Sequence, residues 1–335
     1  MSVFAAATGV GSWPGTAARA AAEVVVGELG RLPYLAELPD RGVGADLIGR
    51  AGALLVDIAI DTMPRGYRVV ARPGAVMRRA ASLLDEDVDA LEEAWEKAGS
   101  PGCPVKVQAP GPITLAAALE LPNGHRAITD PGAVRDLAGS LAAGMARHRA
   151  EVSRRLSTTT VVQFDEPLLP AALAGRLAGV TALSPVHPID EARAIGLLDE
   201  CVAGAGGEVA VHCCAPDLPW TVLRRSGIHA LSLDFAALGD GDLDGLGTFL
   251  DSGRTVVLGL VPAVAPGRTP PVDELAAAAA TVTDRLGFPR SVLGARVGIS
   301  PTCGLAGATV AWARTATGLA QRTADAIAGD VGVLD

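Results

Sequence analysis

The residues best suited to chemistry in this chain are one histidine and two cysteines. His212 and Cys214 stand two positions apart, and Cys303 follows a later apolar run. In an extended segment, residues two apart point to the same side, so His212 and Cys214 can face one metal ion while Cys213 points away. Zinc favours nitrogen and sulfur ligands, and catalytic zinc sites keep one position open. The pattern predicts a zinc site, with small buried core thiols as the alternative.

Other polar residues also follow directly after apolar, strand-like runs. Gly11 and Ser12 follow the first run, and Asp165 and Asp234 follow two later ones. In a barrel of parallel strands, the residues after the strands form the catalytic face. We therefore expect these four residues to lie near the predicted zinc site.

The elements that must position these residues alternate along the chain. Short Val-rich runs predict strands at Val3–Val10, Tyr67–Ala71, Pro104–Gln108, Thr159–Phe164, Gly179–Ser184, Glu208–His212, His229–Leu233, Thr255–Leu260 and Arg296–Ser300. Longer Ala- and Leu-rich stretches predict helices at Thr16–Leu29, Ala45–Ile60, Asp85–Lys97, Pro131–Ser157, Asp190–Ala203, Val272–Leu286 and Gly307–Ile327. Almost wholly apolar strands are typical of a parallel sheet covered by helices. The repeated pattern over 335 residues predicts an α/β fold, a single-domain (β/α)8 TIM barrel, with an irregular insertion at Gly30–Gly44.

Composition and charge argue against several classes of protein. Hydrophobic residues make up 49% of the chain, and the five cysteines are an odd number that does not suggest a disulfide framework. The net charge is −9 and the only lysines are Lys97 and Lys106, so we expect no nucleic-acid partner. No apolar run approaches the roughly 20 residues needed to span a bilayer, and the N-terminus does not resemble a signal peptide. We therefore expect a cytoplasmic protein without a membrane partner.

Four motifs carry a resemblance to a known family. They are Gly9-Val10-Gly11-Ser12-Trp13-Pro14, Gln163-Phe164-Asp165-Glu166-Pro167, His212-Cys213-Cys214 and Ser300-Pro301-Thr302-Cys303-Gly304-Leu305. In order and in position after strands, they resemble the C-terminal catalytic domain of cobalamin-independent methionine synthase, within a wider group that includes uroporphyrinogen decarboxylase. The resemblance covers nearly the whole chain, which is similar in length to short, single-barrel forms of the family.

The resemblance implies a zinc-dependent methyltransferase that forms methionine from homocysteine. It implies that Zn²⁺ is bound by His212, Cys214 and Cys303, and that Asp234 takes the place of a glutamate ligand of the family. The alternative role for Asp234 is the N-cap of a following helix. Zinc removes the proton from a bound thiol, and the resulting thiolate would attack the methyl group of a donor.

The resemblance also implies how the amino acid part of homocysteine is held. Gly11 and Ser12 would bind its carboxylate, and Asp165 would bind its ammonium group. Asp46 is expected as a second carboxylate near the ammonium. The alternatives are a turn before a proline for Ser12 and a salt bridge at the barrel rim for Asp165.

One position departs from the pattern of the family and bears on the methyl donor. Val264 stands where the family carries a histidine that protonates the departing folate. Methyltetrahydrofolate is a poor methyl donor unless its leaving nitrogen is protonated. The expected donor is therefore methylcobalamin, free or on a corrinoid carrier protein. His187 is a candidate substitute acid, with an ordinary loop residue as the alternative.

Three other functions stay open at this point. A methylcobamide:thiol methyltransferase would use the same zinc chemistry with coenzyme M or another simple thiol as acceptor. Uroporphyrinogen decarboxylation is disfavoured by the Arg-poor N-terminal loop and by the thiol cluster. A non-catalytic barrel that binds zinc or a corrinoid is the third alternative.

Overall fold

The computed structural model of the protein describes residues 2–179, 181 and 185–330. The strands within these residues are β1 (Ala59–Met63), β2 (Gly66–Val70), β3 (Val105–Pro110), β4 (Leu119–Glu120), β5 (Thr160–Asp165), β6 (Val209–Cys213), β7 (Ala230–Asp234), β8 (Thr255–Val261) and β9 (Val297–Pro301). Six of them form one parallel sheet in the order β3-β5-β6-β7-β8-β9. The carboxyl ends of these strands meet at one edge, and this edge gathers the residues that follow them.

Helices connect the strands and cover the sheet. They are α1 (Ala18–Glu28), α2 (Leu47–Ala51), α3 (Ala75–Lys97), α4 (Pro112–Ala118), α5 (Pro131–Leu156), α6 (Leu169–Leu173), α7 (Glu191–Ala205), α8 (Trp220–Arg225), α9 (Leu243–Asp251), α10 (Val272–Arg285), α11 (Arg290–Arg296) and α12 (Val310–Asp330). Asp130 and Asp190 begin α5 and α7 by accepting hydrogen bonds from backbone N–H groups of the first turn. Among the helices of the described residues, none has both the length and the apolar character needed to cross a membrane.

The sheet is buried on both sides, as its apolar strands predict. Every residue of β3, β5, β6, β8 and β9 is buried. The large apolar core contains most of the buried side chains, and a smaller cluster joins residues of β5 to β8 with Phe4 and Leu32. Burial of both faces requires residues before β3 to cover the sheet as well.

Single parallel bridges extend the sheet at both edges. Ala7 pairs with Ile299 of β9, and Tyr34 pairs with Lys106 of β3. A third parallel bridge joins Ser12 to Glu37, so the two flanking segments also meet each other. The structure thus shows a curled parallel sheet of six continuous strands. The Gly30–Gly44 segment, predicted to be irregular, carries two of these three bridges.

A small sheet lies apart from the parallel one and corrects one strand prediction. β1 and β2 form an antiparallel hairpin, and β2 pairs with the short β4. The run Tyr67–Ala71, predicted as a strand of the barrel, belongs to this hairpin. Only Tyr67 of this run is buried, in contrast to the wholly buried strands of the parallel sheet.

Three other element predictions differ from the structure. The helix predicted over Asp85–Lys97 already begins at Ala75. The predicted helix Ala45–Ile60 is helical only over Leu47–Ala51, and Ala59 already begins β1. Gly52 follows the short α2, and the chain turns there. The predicted strand Val3–Val10 is reduced to the bridge at Ala7. The prediction for Gly179–Ser184 falls mostly on residues 180 and 182–184, which lie outside the described residues.

Candidate metal centre and adjoining cavity

Three side chains at the carboxyl ends of two strands of the parallel sheet meet at one point. His212 lies near the end of β6, Cys214 follows that strand, and Cys303 follows β9. One ligand atom from each lies within 4.8 Å of the others, and the two sulfurs are 3.0 Å apart. The sequence prediction that these three residues converge is confirmed.

The ring of His212 is oriented for a ligand that the protein itself does not supply. Its Nδ1 is 3.0 Å from the hydroxyl of Ser232 on β7. Its Nε2 is buried and has no hydrogen-bond partner in the described structure. Burying a polar nitrogen without a hydrogen-bond partner is energetically costly. Metal-bound histidines usually bind the metal through one ring nitrogen and hydrogen-bond through the other, as Nδ1 does here with Ser232. The donor set of one imidazole and two thiols therefore fits zinc.

The two cysteines behave as a pair that shares a proton. The hydrogen bond with Cys214 holds the pKa of the Cys303 thiol below its ordinary value, and the neighbouring His212 acts in the same direction. The same hydrogen bond, together with burial, raises the pKa of Cys214. One sulfur is thus favoured as a thiolate, the form that binds metals.

Asp234 lies close to this group but is not part of it. It ends β7, and its Oδ1 accepts a hydrogen bond of 2.9 Å from the backbone N–H of Ala236. Burial raises the pKa of its carboxyl, and the nearby Cys303 contributes to the rise. The structure therefore shows the helix-cap contact, while direct metal binding by Asp234 stays a prediction.

A cavity of about 270 Å³ adjoins the three ligands. Its lining combines the metal-binding side chains with two buried acids and a serine. The residues are Val10, Ser12, Glu37, Pro39, Ala45, Leu47, Asp165, Pro167, His212, Cys214, Cys303 and Gly304. Ser12 and Asp165, both predicted as substrate ligands, thus face the same space as the metal centre.

The loops after the first bridged segment and after β9 are in direct contact at this cavity. The carbonyl of Ser12 accepts a hydrogen bond of 2.9 Å from the backbone N–H of Leu305. A Cβ atom at Gly304 would lie 2.1 Å from the Ser12 hydroxyl oxygen, so only glycine allows this approach. A Cβ atom at Gly11 would lie 2.9 Å from the side chain of Gln108, and the Gly11 carbonyl accepts a hydrogen bond from the N–H of Glu37.

Asp165 is held at the end of β5, beside the metal centre. Its backbone pairs in register with His212, and its Oδ1 accepts a hydrogen bond of 2.7 Å from the amide of Gln163. Burial raises the pKa of this carboxyl above its ordinary value, although the charge of Lys106 opposes the rise. Asp165 is thus a buried acid with a fixed orientation.

Asp46, also predicted as a substrate ligand, is occupied elsewhere. Its Oδ1 caps α2 by accepting from the N–H groups of Ile48 and Gly49, and its Oδ2 accepts from the Tyr67 hydroxyl. Its chain neighbours Ala45 and Leu47 are among the residues that line the cavity, whereas Asp46 is not. The structure does not bring its carboxylate to the cavity.

Glu37 is a cavity residue that the sequence did not single out. It is buried, and its Oε1 lies 3.4 Å from the guanidinium of Arg50 without forming a hydrogen bond. Burial raises the pKa of its carboxyl. The only signal in the sequence was an acid inside the apolar stretch Leu32–Leu38, within the predicted insertion.

His187 and Val264, the two residues considered in connection with protonation of the leaving group of the methyl donor, lie away from the candidate metal centre. His187 lines a different cavity, together with His125 and Arg126. Val264 lies in the loop after β8 and is exposed. Neither side chain is among those that line the cavity at the metal centre.

Comparison with known proteins agrees with this geometry. Residues 4–326 match the family described as the cobalamin-independent synthase, catalytic domain. No curated protein sequence gives a match to the chain.

Two solved structures share the fold over most of their length. A B12-independent methionine synthase from Shewanella sp. W3-18-1, solved with selenomethionine, is 14% identical, with a TM-score of 0.61 over 98% of this chain and 99% of that one. A methyltransferase from Methanosarcina mazei is 16% identical, with a TM-score of 0.52 over 93% of this chain and 83% of that one. At these identities, the likeness concerns the fold.

Proposed function

The chain belongs to the family of cobalamin-independent synthase catalytic domains, and from that premise we propose that it methylates the thiol of homocysteine to give methionine. The observation that carries the proposal is the buried, unpartnered Nε2 of His212 beside a pair of cysteine sulfurs at the wall of a cavity. The selenomethionine bound to the Shewanella methionine synthase is an analogue of the product proposed here.

Zinc is the metal that these residues would hold. His212, Cys214 and Cys303 supply three ligands, and Asp234 or the substrate would complete the set. When bound, zinc supplies a positive charge that keeps a coordinated substrate thiol in its reactive thiolate form. The contact of Ser232 with Nδ1 would orient the imidazole ring and leave Nε2 free to bind the metal.

The acids at the cavity wall would hold the ammonium group of the acceptor. Asp165 and Glu37 both line the cavity, and neither carboxylate forms a direct hydrogen bond to a cation. Ser12, whose backbone is bridged to that of Glu37, would donate its hydroxyl to the carboxylate of the acceptor. Two buried acids favour an ammonium group and disfavour a sulfonate, so they support homocysteine over coenzyme M as the acceptor.

The size of the cavity bears on the methyl donor. Its volume of about 270 Å³ lies below the range of about 300–1,000 Å³ that is typical of drug-sized ligands. It is suited to an amino acid and too small for a complete folate or corrinoid. We propose that the donor meets the thiol at the mouth of the cavity and, because Val264 cannot donate a proton, that this donor is methylcobalamin, free or on a corrinoid carrier protein.

We also propose that the curled sheet closes into an eight-stranded barrel that forms one domain. The bridges at Ala7 and Tyr34 supply the two missing positions at the sheet edges, and the Ser12–Glu37 bridge joins them. Such closure places all of the cavity residues on the face at the carboxyl ends of the strands.

A zinc-loaded methylation assay with L-homocysteine tests the proposed function. Methylcobalamin and methyltetrahydrofolate are supplied in parallel, and methionine is measured. We expect methionine from methylcobalamin, little from the folate, and none from the Cys303→Ser variant. Turnover with the folate alone would contradict the proposed donor, and faster turnover of coenzyme M would contradict the proposed acceptor. Zinc binding without methylation of either thiol would indicate a binding protein.

A further inference from the structure

Lys106 is a buried cation for which the proposed chemistry has no role. It lies on β3 with no exposed surface, and its ammonium group stands 5.3 Å from the centre of the Tyr34 ring. Lysine is almost never fully buried unless it is paired. Its Nζ donates hydrogen bonds of 2.9 Å to the carbonyl of Val10 and 2.8 Å to Oε1 of Gln163.

The bond from Lys106 decides which way the Gln163 amide faces. An ammonium group can only donate, so the oxygen of the amide must point toward it and the nitrogen must point away. The Gln163 Nε2 then donates to Oδ1 of Asp165 and to the Val10 carbonyl, each at 2.7 Å. The position of the Asp165 carboxylate therefore depends on Lys106 through one intervening side chain.

The same lysine also fixes the other half of the cavity. The Val10 carbonyl, which it contacts directly, precedes Gly11 and Ser12 in the chain. The backbone of Lys106 pairs with the Pro33–Leu35 segment through two hydrogen bonds of 2.9 Å, two residues before Glu37. One residue thus connects the three segments that carry Ser12, Glu37 and Asp165.

We propose that Lys106 is a positioning residue that sets the spacing between the carboxylate-binding and the ammonium-binding sides of the acceptor site. This inference rests on the proposed function, in which an amino acid occupies the cavity. Its physical basis is preorganisation, since a ligand with two charged groups binds well only if both partners are already at the right separation. Burial raises the pKa of both Asp165 and Glu37, and the positive charge of Lys106 opposes this rise in each.

The test compares Lys106→Met with Lys97→Met. The two residues are the only lysines in the chain, and Lys97 is exposed on α3, where it pairs with Glu23 and Glu93. Methionine is unbranched and only one atom shorter than lysine, and it removes the charge and the donors. Binding of L-homocysteine and of 2-mercaptoethanol to the zinc-loaded proteins is measured by calorimetry, with zinc content as a check on the metal centre.

We expect Lys106→Met to weaken homocysteine binding by about 10- to 100-fold, the range for lost hydrogen bonds to charged groups. Binding of 2-mercaptoethanol, which has neither charged group, should stay at the wild-type level, and so should zinc content. Lys97→Met should behave as wild type toward both thiols. A loss of fold or of zinc would instead affect the two thiols equally.

Gln163→Glu is a second variant that keeps Lys106 in place. Its carboxylate can still accept from Lys106 but cannot donate to Asp165, so the same selective loss is expected. Wild-type protein that binds both thiols equally would overturn the proposed function. If Gln163→Glu and folded Lys106→Met still preferred homocysteine to 2-mercaptoethanol as the wild type does, the role of Lys106 would be overturned and the proposed function would stand.

Discussion

Replacing Gly304 with alanine tests whether the Ser12 hydroxyl holds the acceptor. The new methyl group would lie 2.1 Å from the Ser12 oxygen, about 1 Å or more inside the distance at which non-bonded atoms pack. The backbone at Ser12 has little room to retreat. The Ser12 carbonyl accepts a hydrogen bond from the backbone N–H of Leu305. The next residue, Trp13, donates a hydrogen bond of 2.7 Å to the carbonyl of Glu37. The hydroxyl must therefore rotate to another rotamer.

The size of the effect follows from this rotation. A hydrogen bond from Ser12 to a charged carboxylate contributes about 1.5–3 kcal/mol, so its loss should weaken homocysteine binding by about 10- to 100-fold. The cost to folding is smaller, because the rotamer change and the stiffer unfolded chain each contribute roughly 1 kcal/mol with opposite signs. The melting temperature and zinc content should therefore stay close to those of wild type.

Gly307→Ala is the matched control in the same loop. A Cβ atom at Gly307 meets nothing within 4 Å, so this variant should bind homocysteine as wild type does. Calorimetric titration of the zinc-loaded proteins gives the three affinities. If Gly304→Ala bound homocysteine as tightly as Gly307→Ala, the Ser12 hydroxyl would have no part in binding, and the assignment of this side of the cavity would be wrong.

Three further perturbations test the candidate metal ligands and the carboxylate proposed to bind the ammonium group of the acceptor. Cys303→Ser should lower zinc from about one ion per chain to well below that by metal analysis, while Cys103→Ser should retain it. Asp234→Asn still offers an oxygen to the N–H of Ala236, so the helix cap is kept. We expect the Kd for zinc, measured by chelator competition, to rise about tenfold, and this rise would reflect lost coordination of the metal. Because burial raises the Asp165 pKa, homocysteine binding should weaken as the pH falls through that raised value, where the carboxyl gains a proton and no longer pairs with ammonium. Asp165→Asn should bind weakly at every pH, and its titrations should lack this step.

The parallel sheet was predictable from the sequence because its strands are buried on both faces. Each of its six strands appears as an apolar run, and the predicted bounds differ from the observed ones by at most two residues. The flanking segments were harder to assign, since Ala7 and Tyr34 join the sheet through single bridges that leave no run of alternating or continuous apolar residues. Tyr67–Ala71 has strand composition, but composition alone does not reveal which sheet a strand joins.

The convergence of the three candidate metal ligands was predictable because zinc chemistry requires particular residue types at particular positions. His212 and Cys214 have the two-residue spacing that an extended segment needs, and Cys303 follows another strand. Glu37 had no such signature, because its role arises from burial beside Arg50, a contact made only in the folded chain. Asp46 was predicted at the cavity, but an aspartate that begins a short helix satisfies the first N–H groups of that helix instead.

The placement of charge around the cavity explains why these residues suit a zwitterion. Asp165 has Lys106 behind it, and Glu37 belongs to a buried network with Arg50, Asp87 and Arg41 in which cations and anions are equal in number. The two acids line the cavity, whereas the cations lie beyond them and do not. We therefore expect an ammonium group to meet the acid of each pair, and the carboxylate of the acceptor to need the Ser12 hydroxyl as its hydrogen-bond donor. An acceptor with one anionic group and no cation would gain nothing from this wall, so under the proposed function we expect the arrangement to favour an amino acid by charge.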